Sequence, residues 1–265
     1  MSAAGRRRSL RLALATRLKS RLANRGDLVA GLVGGALLCA VGPAFVLTLF
    51  QHVTALGTWS GPEVLFCWGF ADTCAGLFYV FFQGLYMLNQ RYILGGELDR
   101  LLLRPLDPYL QLLVDNLSLE DVPVVVLGLL IMGGAALWGL PPAPPWRWLL
   151  LPVALLSGTA VLGGLLTAFA SLGFHLRHRG TAVGMVLQLS TFVRYPLDLF
   201  ASPLRWLLTT ALPLGFAGFY GAILVLGREQ FGWIALLQPA VAAACLGLGY
   251  GAWRLGLRTY ASSGS

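Results

Sequence analysis

The sequence predicts an all-α integral membrane protein with six transmembrane helices. A basic helix in the membrane interface precedes them, a short charged helix joins spans two and three on the cytosolic side, and a re-entrant helical pair separates spans five and six. Three observations carry this prediction. Of the 265 residues, 57% are hydrophobic and only 11% are charged, whereas soluble domains run near about 25% charged. The mean hydropathy of +0.74 is more apolar surface than one soluble core can bury. Apolar runs of span length then recur along the chain, and the links between them alternate between cation-rich and cation-poor.

The formal net charge of +8 is unevenly placed. Arg6, Arg7, Arg8, Arg11, Arg17, Lys19, Arg21 and Arg25 lie in the first segment without an acid among them, and the rest of the chain nearly balances. Leu14, Leu18 and Leu22 recur at i,i+4, so residues 1–27 are expected to form a basic amphipathic helix in the headgroup plane. A basic arm ahead of an apolar run suits anionic headgroups and the cytosolic side of a membrane. It does not suit nucleic acid, because the body of the chain offers no basic, aromatic-lined face. A signal peptide would carry an apolar region of only about 7–15 residues. Leu28 to Phe50 is longer and lacks a small-residue cleavage site, so it is expected to remain as the first span.

Within that span Gly31, Gly34, Gly35 and Gly42 thin one side for close helix contact, and Gly42-Pro43 is expected to kink the helix without ending it. Span two, about Val64 to Leu88, carries Asp72. A carboxylate inside a membrane is costly, and it must face the bundle interior, a partner or a polar route unless it sits near the interface beside Thr73. Gly95 to Pro108 interleaves Glu97, Asp99, Arg100 and Arg104 with Leu98, Leu101 and Leu102, then meets Pro105 and Pro108. It reads as a short amphipathic helix followed by an imposed turn. Residues 111–123 leave the membrane surface for span three, about Asp121 to Leu140. Pro141 to Pro145 is a rigid connector flanked by Trp138, Trp146 and Trp148 as interface anchors. Span four, about Leu149 to Phe174, ends in the basic His175 to Arg179.

Val183 to Phe200 crosses once, with Arg194 and Asp198 at i,i+4 in its second half, where they pair, snorkel or line a cavity. Pro203 to Gly227 is apolar but broken by Pro203, Pro213 and glycines, and Phe231 to Trp253 is the last span. Counting Pro203 to Gly227 as a crossing gives seven spans and places Arg254 and Arg258 outside. Counting about 203–226 as re-entrant gives six and gathers the basic arm, Arg91 to Arg104, His175 to Arg179 and Arg254 to Arg258 in the cytosol. Charge bias favours six spans, with both termini and the 259–265 tail cytosolic.

Residues 28–258 thus form one transmembrane domain, with no room for a nucleotide-binding domain and no phosphate loop, zinc-protease or nucleophile-elbow motif. His52, His175 and His178 are too scattered for a metal site. Cys39, Cys67, Cys74 and Cys245 lack metal or redox spacing and read as buried small hydrophobes. Neither an enzyme nor a resident cofactor is expected. The charged helix suits docking: its acids and arginines offer oriented ion pairs while its leucines seat against a groove or the bundle.

Three segments carry a resemblance. They are Gly96-Glu-Leu-Asp-Arg-Leu-Leu-Leu-Arg-Pro-Leu-Asp-Pro108, Tyr195-Pro-Leu-Asp-Leu-Phe200 with Leu212-Pro213 after it, and Trp253 to Gly264. Together they resemble the permease subunits of bacterial ABC-2 type exporters, over nearly the whole chain. The resemblance implies a six-span inner-membrane permease that dimerises with itself or a related permease and is driven by two copies of a separate cytosolic ATPase, which holds the ATP and Mg. It makes residues 95–108 the coupling helix, with Glu97, Leu98, Asp99, Arg100, Leu101, Arg104 and Pro105 as ATPase contacts, and suggests a drug-like, cationic or lipid-like substrate. Asp72, Phe78, Tyr79, Phe82, Gln83, Tyr86, Phe192 and Tyr195 are the candidates for the translocation path, since aromatic rings receive flat or cationic molecules. An ion-gradient-driven transporter and a non-transporting scaffold are the competing readings. The first needs a working ionisable group in the membrane and the second needs no cavity.

Overall fold

Ser60 and Pro62 start the helix around which the rest packs. The Glu63 carboxylate accepts from the Ser60 amide at 3.0 Å and from its hydroxyl at 2.8 Å, which satisfies the exposed end of the first turn. In a computed structural model that describes residues 25–141, 143–176 and 181–260, all regular elements are helical. The expected interface helix at 1–27 and the tail at 259–265 fall almost wholly outside the described residues.

Helix α1 (Arg25–Leu49) runs through Pro43. Helix α2 (Gly61–Met87) continues through a π-helical turn, Leu88–Ile93, and two short helices follow, α3 (Glu97–Leu102) and α4 (Pro108–Asp115). Helix α5 (Val122–Gly139) leads through the one-turn helix Pro145–Trp148 into α6 (Leu151–Ser171). Helix α7 (Thr181–Ser190) tightens to a 3-10 turn, Thr191–Arg194. Helix α8 (Ser202–Trp206), α9 (Phe219–Leu226) and α10 (Gln238–Thr259) complete the chain.

Four continuous helical stretches are long and apolar enough to cross a membrane: Gly61–Ile93, Val122–Gly139, Pro145–His175 and Glu229–Thr259. Val33–Leu49 and Ala182–Arg194 are shorter apolar helices. Of the four, the one containing α2 is mostly buried and the one containing α5 mostly exposed, so α2 is the axis and α5 faces outward. Phe66, Phe70, Phe78, Leu85 and Leu88 make its interior face. Close crossings depend on glycine, because a Cβ on Gly69 would lie 2.7 Å from the Gly128 carbonyl oxygen of α5, and one on Gly249 of α10 would strike the Gly164 backbone of α6. Backbones that approach this closely gain dispersion and leave no gap for lipid.

The broken stretch from Pro196 to Arg228 begins and ends at the same end of the bundle. At its start Trp59 Nε1 donates to both Asp198 carboxylate oxygens, at 2.9 and 3.0 Å. At its end Arg228 donates to Glu63 through Nε and Nη2, both at 2.7 Å, and from Nη2 to the Thr58 carbonyl at 2.8 Å. Between these anchors α8 unwinds through a π turn, bends at Leu212-Pro213, and passes Gly218, which abuts the Val193 carbonyl, before α9 returns. Gln238, fully buried on α10, donates from Nε2 to the Phe216 carbonyl at 2.8 Å and to Ala154 at 2.9 Å. Irregular backbone away from water needs such partners.

Candidate functional site

The charged insert is a braced helical pair at the end of α2. Gly96, at φ 71, supplies the left-handed turn that starts α3. Leu98 and Leu101 are buried, while Arg100, Leu102, Leu103, Arg104 and Pro105 are exposed; Leu103 is 86% exposed. Glu97 accepts from Arg91 Nε at 2.7 Å, and Asp115 accepts from Arg104 Nη1 at 3.1 Å. Both ion pairs are largely solvent-facing and serve as positioning contacts more than as stability.

After the Pro105 turn, Asp107 caps α4 by accepting from the Leu110 amide at 3.1 Å, and also accepts from the Tyr250 hydroxyl at 3.1 Å. Gln111 donates to the Leu106 carbonyl at 2.8 Å and to Leu101 at 3.3 Å, tying α4 back to α3. Tyr109 and Thr167 share a hydrogen bond of 2.9 Å that holds α4 to α6. Burial raises the Tyr109 phenol above its ordinary range. At the far end of α10 burial, then the Asp99 carboxylate, raises the Tyr260 phenol in the same way. The expected helix from Gly95 and its proline turn are therefore present. The second helix, α4, departs from the expectation that residues 111–123 leave the membrane surface, and the Asp107-Pro108 pair is its start signal in the sequence.

A second polar cluster lies within the bundle. Asp72, 2% exposed, accepts from Arg194 Nε at 2.6 Å and from Trp68 Nε1 at 3.0 Å. The guanidinium also lies 5.5 Å from the centre of the Trp68 ring, and Tyr195 packs edge-on against that ring. Thr73 does not partner Asp72; its hydroxyl donates to the Gly69 carbonyl at 2.7 Å. Nor do Arg194 and Asp198 pair, because the chain leaves helical geometry at Tyr195 and the i,i+4 relation is lost. Glu63, Trp59 and Arg228 make the separate anchors of the broken stretch; the Ser60-x-x-Glu63 spacing with Pro62 was the signal for Glu63, and the other two carried none.

The other path candidates divide between two faces of α2. Phe78 is fully buried and stacks on Phe82, which packs against Gly163 of α6, so both support helix contact. Tyr79 and Gln83 are half-buried and Tyr86 is exposed, in a line at i, i+4 and i+7. Phe192 is half-exposed and packs edge-on to Phe200. Among the described residues no cluster of His, Cys, Asp and Glu could hold a metal ion.

The chain matches the model of a family described as ABC-2 family transporter protein over residues 38–264. No curated protein and no solved structure matches it.

Proposed function

Since the chain belongs to the ABC-2 transporter family and is a membrane permease subunit without catalytic chemistry of its own, we propose that it forms the translocation path of an ATP-driven exporter and takes its energy through the α3–α4 pair. The observation that carries this is the exposed edge Arg100, Leu102, Leu103, Arg104 and Pro105, held on a braced support. Apolar side chains flanked by cations, left uncovered at the tip of a rigid element, fit a protein partner with an acidic, grooved surface. Glu97, through Arg91, and Asp99, beside Tyr260, hold the first turn of α3 in place while Leu98 and Leu101 seat it on the bundle.

The helix that leads into this edge spans 33 residues, Gly61–Ile93, about 50 Å at 1.5 Å per residue. A hydrocarbon core is about 30 Å thick, so one continuous rod reaches from the partner to the opposite membrane face. Closure of two cytosolic ATPase subunits around ATP and Mg pushes α3–α4, and the rod carries that displacement to the Trp59–Asp198 and Glu63–Arg228 anchors of the broken segment. The cycle is a shift in population between inward-open and outward-open or closed permeases. A second permease, identical or related, completes the path in the bacterial inner membrane. Tyr79, Gln83, Tyr86 and Phe192 supply its aromatic, polar lining, which suits drug-like, cationic or lipid-like molecules.

The six-span reading, with both termini cytosolic and about 203–226 re-entrant, is supported by the two anchors that tie both ends of that segment to residues 58–63. Ion-gradient drive is disfavoured. Acids in the four apolar stretches are Glu63 and Asp72, each already in an ion pair, and Glu229 at the very start of the last.

The test is co-purification of the permease with its ATPase, followed by coupled ATP hydrolysis in liposomes. Leu102→Ala with Leu103→Ala is expected to lower coupled hydrolysis about tenfold or more with the permease still folded, since exposed interface leucines are worth on the order of 1–2 kcal/mol. Glu97→Ala with Arg104→Ala is expected to act in the same direction by loosening the support. Normal coupled activity in both double variants would sink the docking reading.

A further inference from the structure

A groove of about 160 Å³ lies between the Pro145–Trp148 turn and the end of α9, lined by Arg147, Leu150, Leu224, Gly227, Glu229 and Leu236 among others. Its position at the membrane boundary is marked by tryptophans: Trp138, Trp146, Trp148 and Trp233 are all at least 37% exposed around this end. Its chemistry is mixed. Arg147 is half-buried, with its guanidinium 5.4 Å from the centre of the Trp146 ring. Gly227 ends α9 at φ 76, and a side chain there would occupy the place where the guanidinium now sits. Among the described residues the Arg147 guanidinium makes no ion pair and donates no hydrogen bond, while its neighbour Arg228 is taken by Glu63. Glu229, exposed two residues beyond Gly227 in the same lining, also has no ion pair among the described residues.

A guanidinium and a carboxylate that line one groove without being joined to each other call for a ligand with both charges. Leu224 and Leu236 continue the groove as an apolar wall, with Leu236 68% exposed, so that ligand should also carry hydrocarbon. We propose that this groove binds a zwitterionic phospholipid of the phosphoethanolamine type, its phosphate on Arg147, its ammonium on Glu229 and its acyl chains along Leu236. A guanidinium with unused donors suits a phosphate, and the low dielectric beside the leucines strengthens the contact. The lipid wedges the Pro145–Trp148 turn against α9 and so steadies the anchor at Arg228. It is a resident lipid and not the cargo, and its binding does not depend on the ATPase.

Delipidated full-length protein in detergent, titrated with phosphatidylethanolamine, phosphatidylglycerol or soluble glycerophosphoethanolamine and read by native mass spectrometry, tests this. Wild type is expected to prefer phosphatidylethanolamine over both others. Arg147→Gln is expected to weaken phosphatidylethanolamine about tenfold, as loss of a charge-assisted contact implies. Glu229→Gln, at an exposed position that does not threaten folding, is expected to weaken phosphatidylethanolamine and leave phosphatidylglycerol unchanged. Melting without added lipid checks each variant's fold, and Arg147→Lys, which keeps the charge, retains part of the affinity. Unchanged phosphatidylethanolamine binding in Arg147→Gln and Glu229→Gln overturns the site. Equal binding of the soluble headgroup overturns the lipid and leaves a simple phosphate contact.

Discussion

Asp72 shows how far a residue can be read before its partner is known. Its cost inside an apolar helix marks it from sequence alone, and so does the awkward place of Arg194. Pro196 signals that the helix ends before it, which undoes the i,i+4 relation of Arg194 to Asp198, but the pairing of Arg194 with Asp72 across 122 positions was not legible because it depends on the tertiary fold. Removing one partner of a buried pair leaves a charge without compensation, at a cost of about 3–5 kcal/mol. Arg194→Gln is expected near that range, because it leaves the buried Asp72 carboxylate unpaired, and Asp72→Asn below it, because the Arg194 side chain left behind is 29% exposed and keeps some access to polar surroundings. Asp72→Asn with Arg194→Gln is expected to lose clearly less than the sum of the two, as judged by thermal unfolding in detergent. Strict additivity would mean that the two charges do not stabilise one another.

Helices α6 and α10 meet through glycine, and there the sequence marks that close approach is permitted without saying where it occurs. The reading placed the thin side on α1, at Gly31, Gly34, Gly35 and Gly42. Of these, Gly42 lies against the Trp68 ring while added side chains at Gly34 and Gly35 would meet open space. The tight crossings are Gly69 with Gly128 and Gly164 with Gly249, on helices recognised as spans but not as neighbours. The same helix supplies its own control. Gly249→Leu is expected to force α10 off α6 and destabilise by roughly 1–3 kcal/mol or more, the range for overpacking. Gly247→Leu, two residues away where nothing lies within 4 Å, is expected to leave the melting temperature nearly unchanged. Equal effects at the two positions would place the crossing elsewhere. The α3–α4 pair shows the complementary case: charge between apolar runs and two prolines located it, whereas its bracing through Asp115, Gln111 and Tyr250 depends on the tertiary fold.

Composition and charge bias were enough for a helical membrane bundle, and the open question at that level was whether the chain from Pro203 to Gly227 crosses. Hydropathy cannot decide it, since a packed broken helix and a lipid-facing span are equally apolar; only the return of the chain to its starting end separates them. Asp198 and Arg228 both meet residues of the 58–63 segment, which argues for return. Thiol labelling in intact cells reads the same question directly, against a quiet background: Cys67, Cys74 and Cys245 are buried and Cys39 is half-buried. Thr54→Cys, Ala201→Cys and Gln230→Cys, all exposed positions, are expected to react with an impermeant maleimide from outside. Leu103→Cys is expected to react only after the membrane is opened. Labelling of Ala201→Cys from outside with Gln230→Cys protected until lysis would make the segment a seventh crossing. The rod from α3–α4 would then end beside a complete span, and force from the partner would reach a helix that crosses the bilayer instead of a hinge anchored at one face.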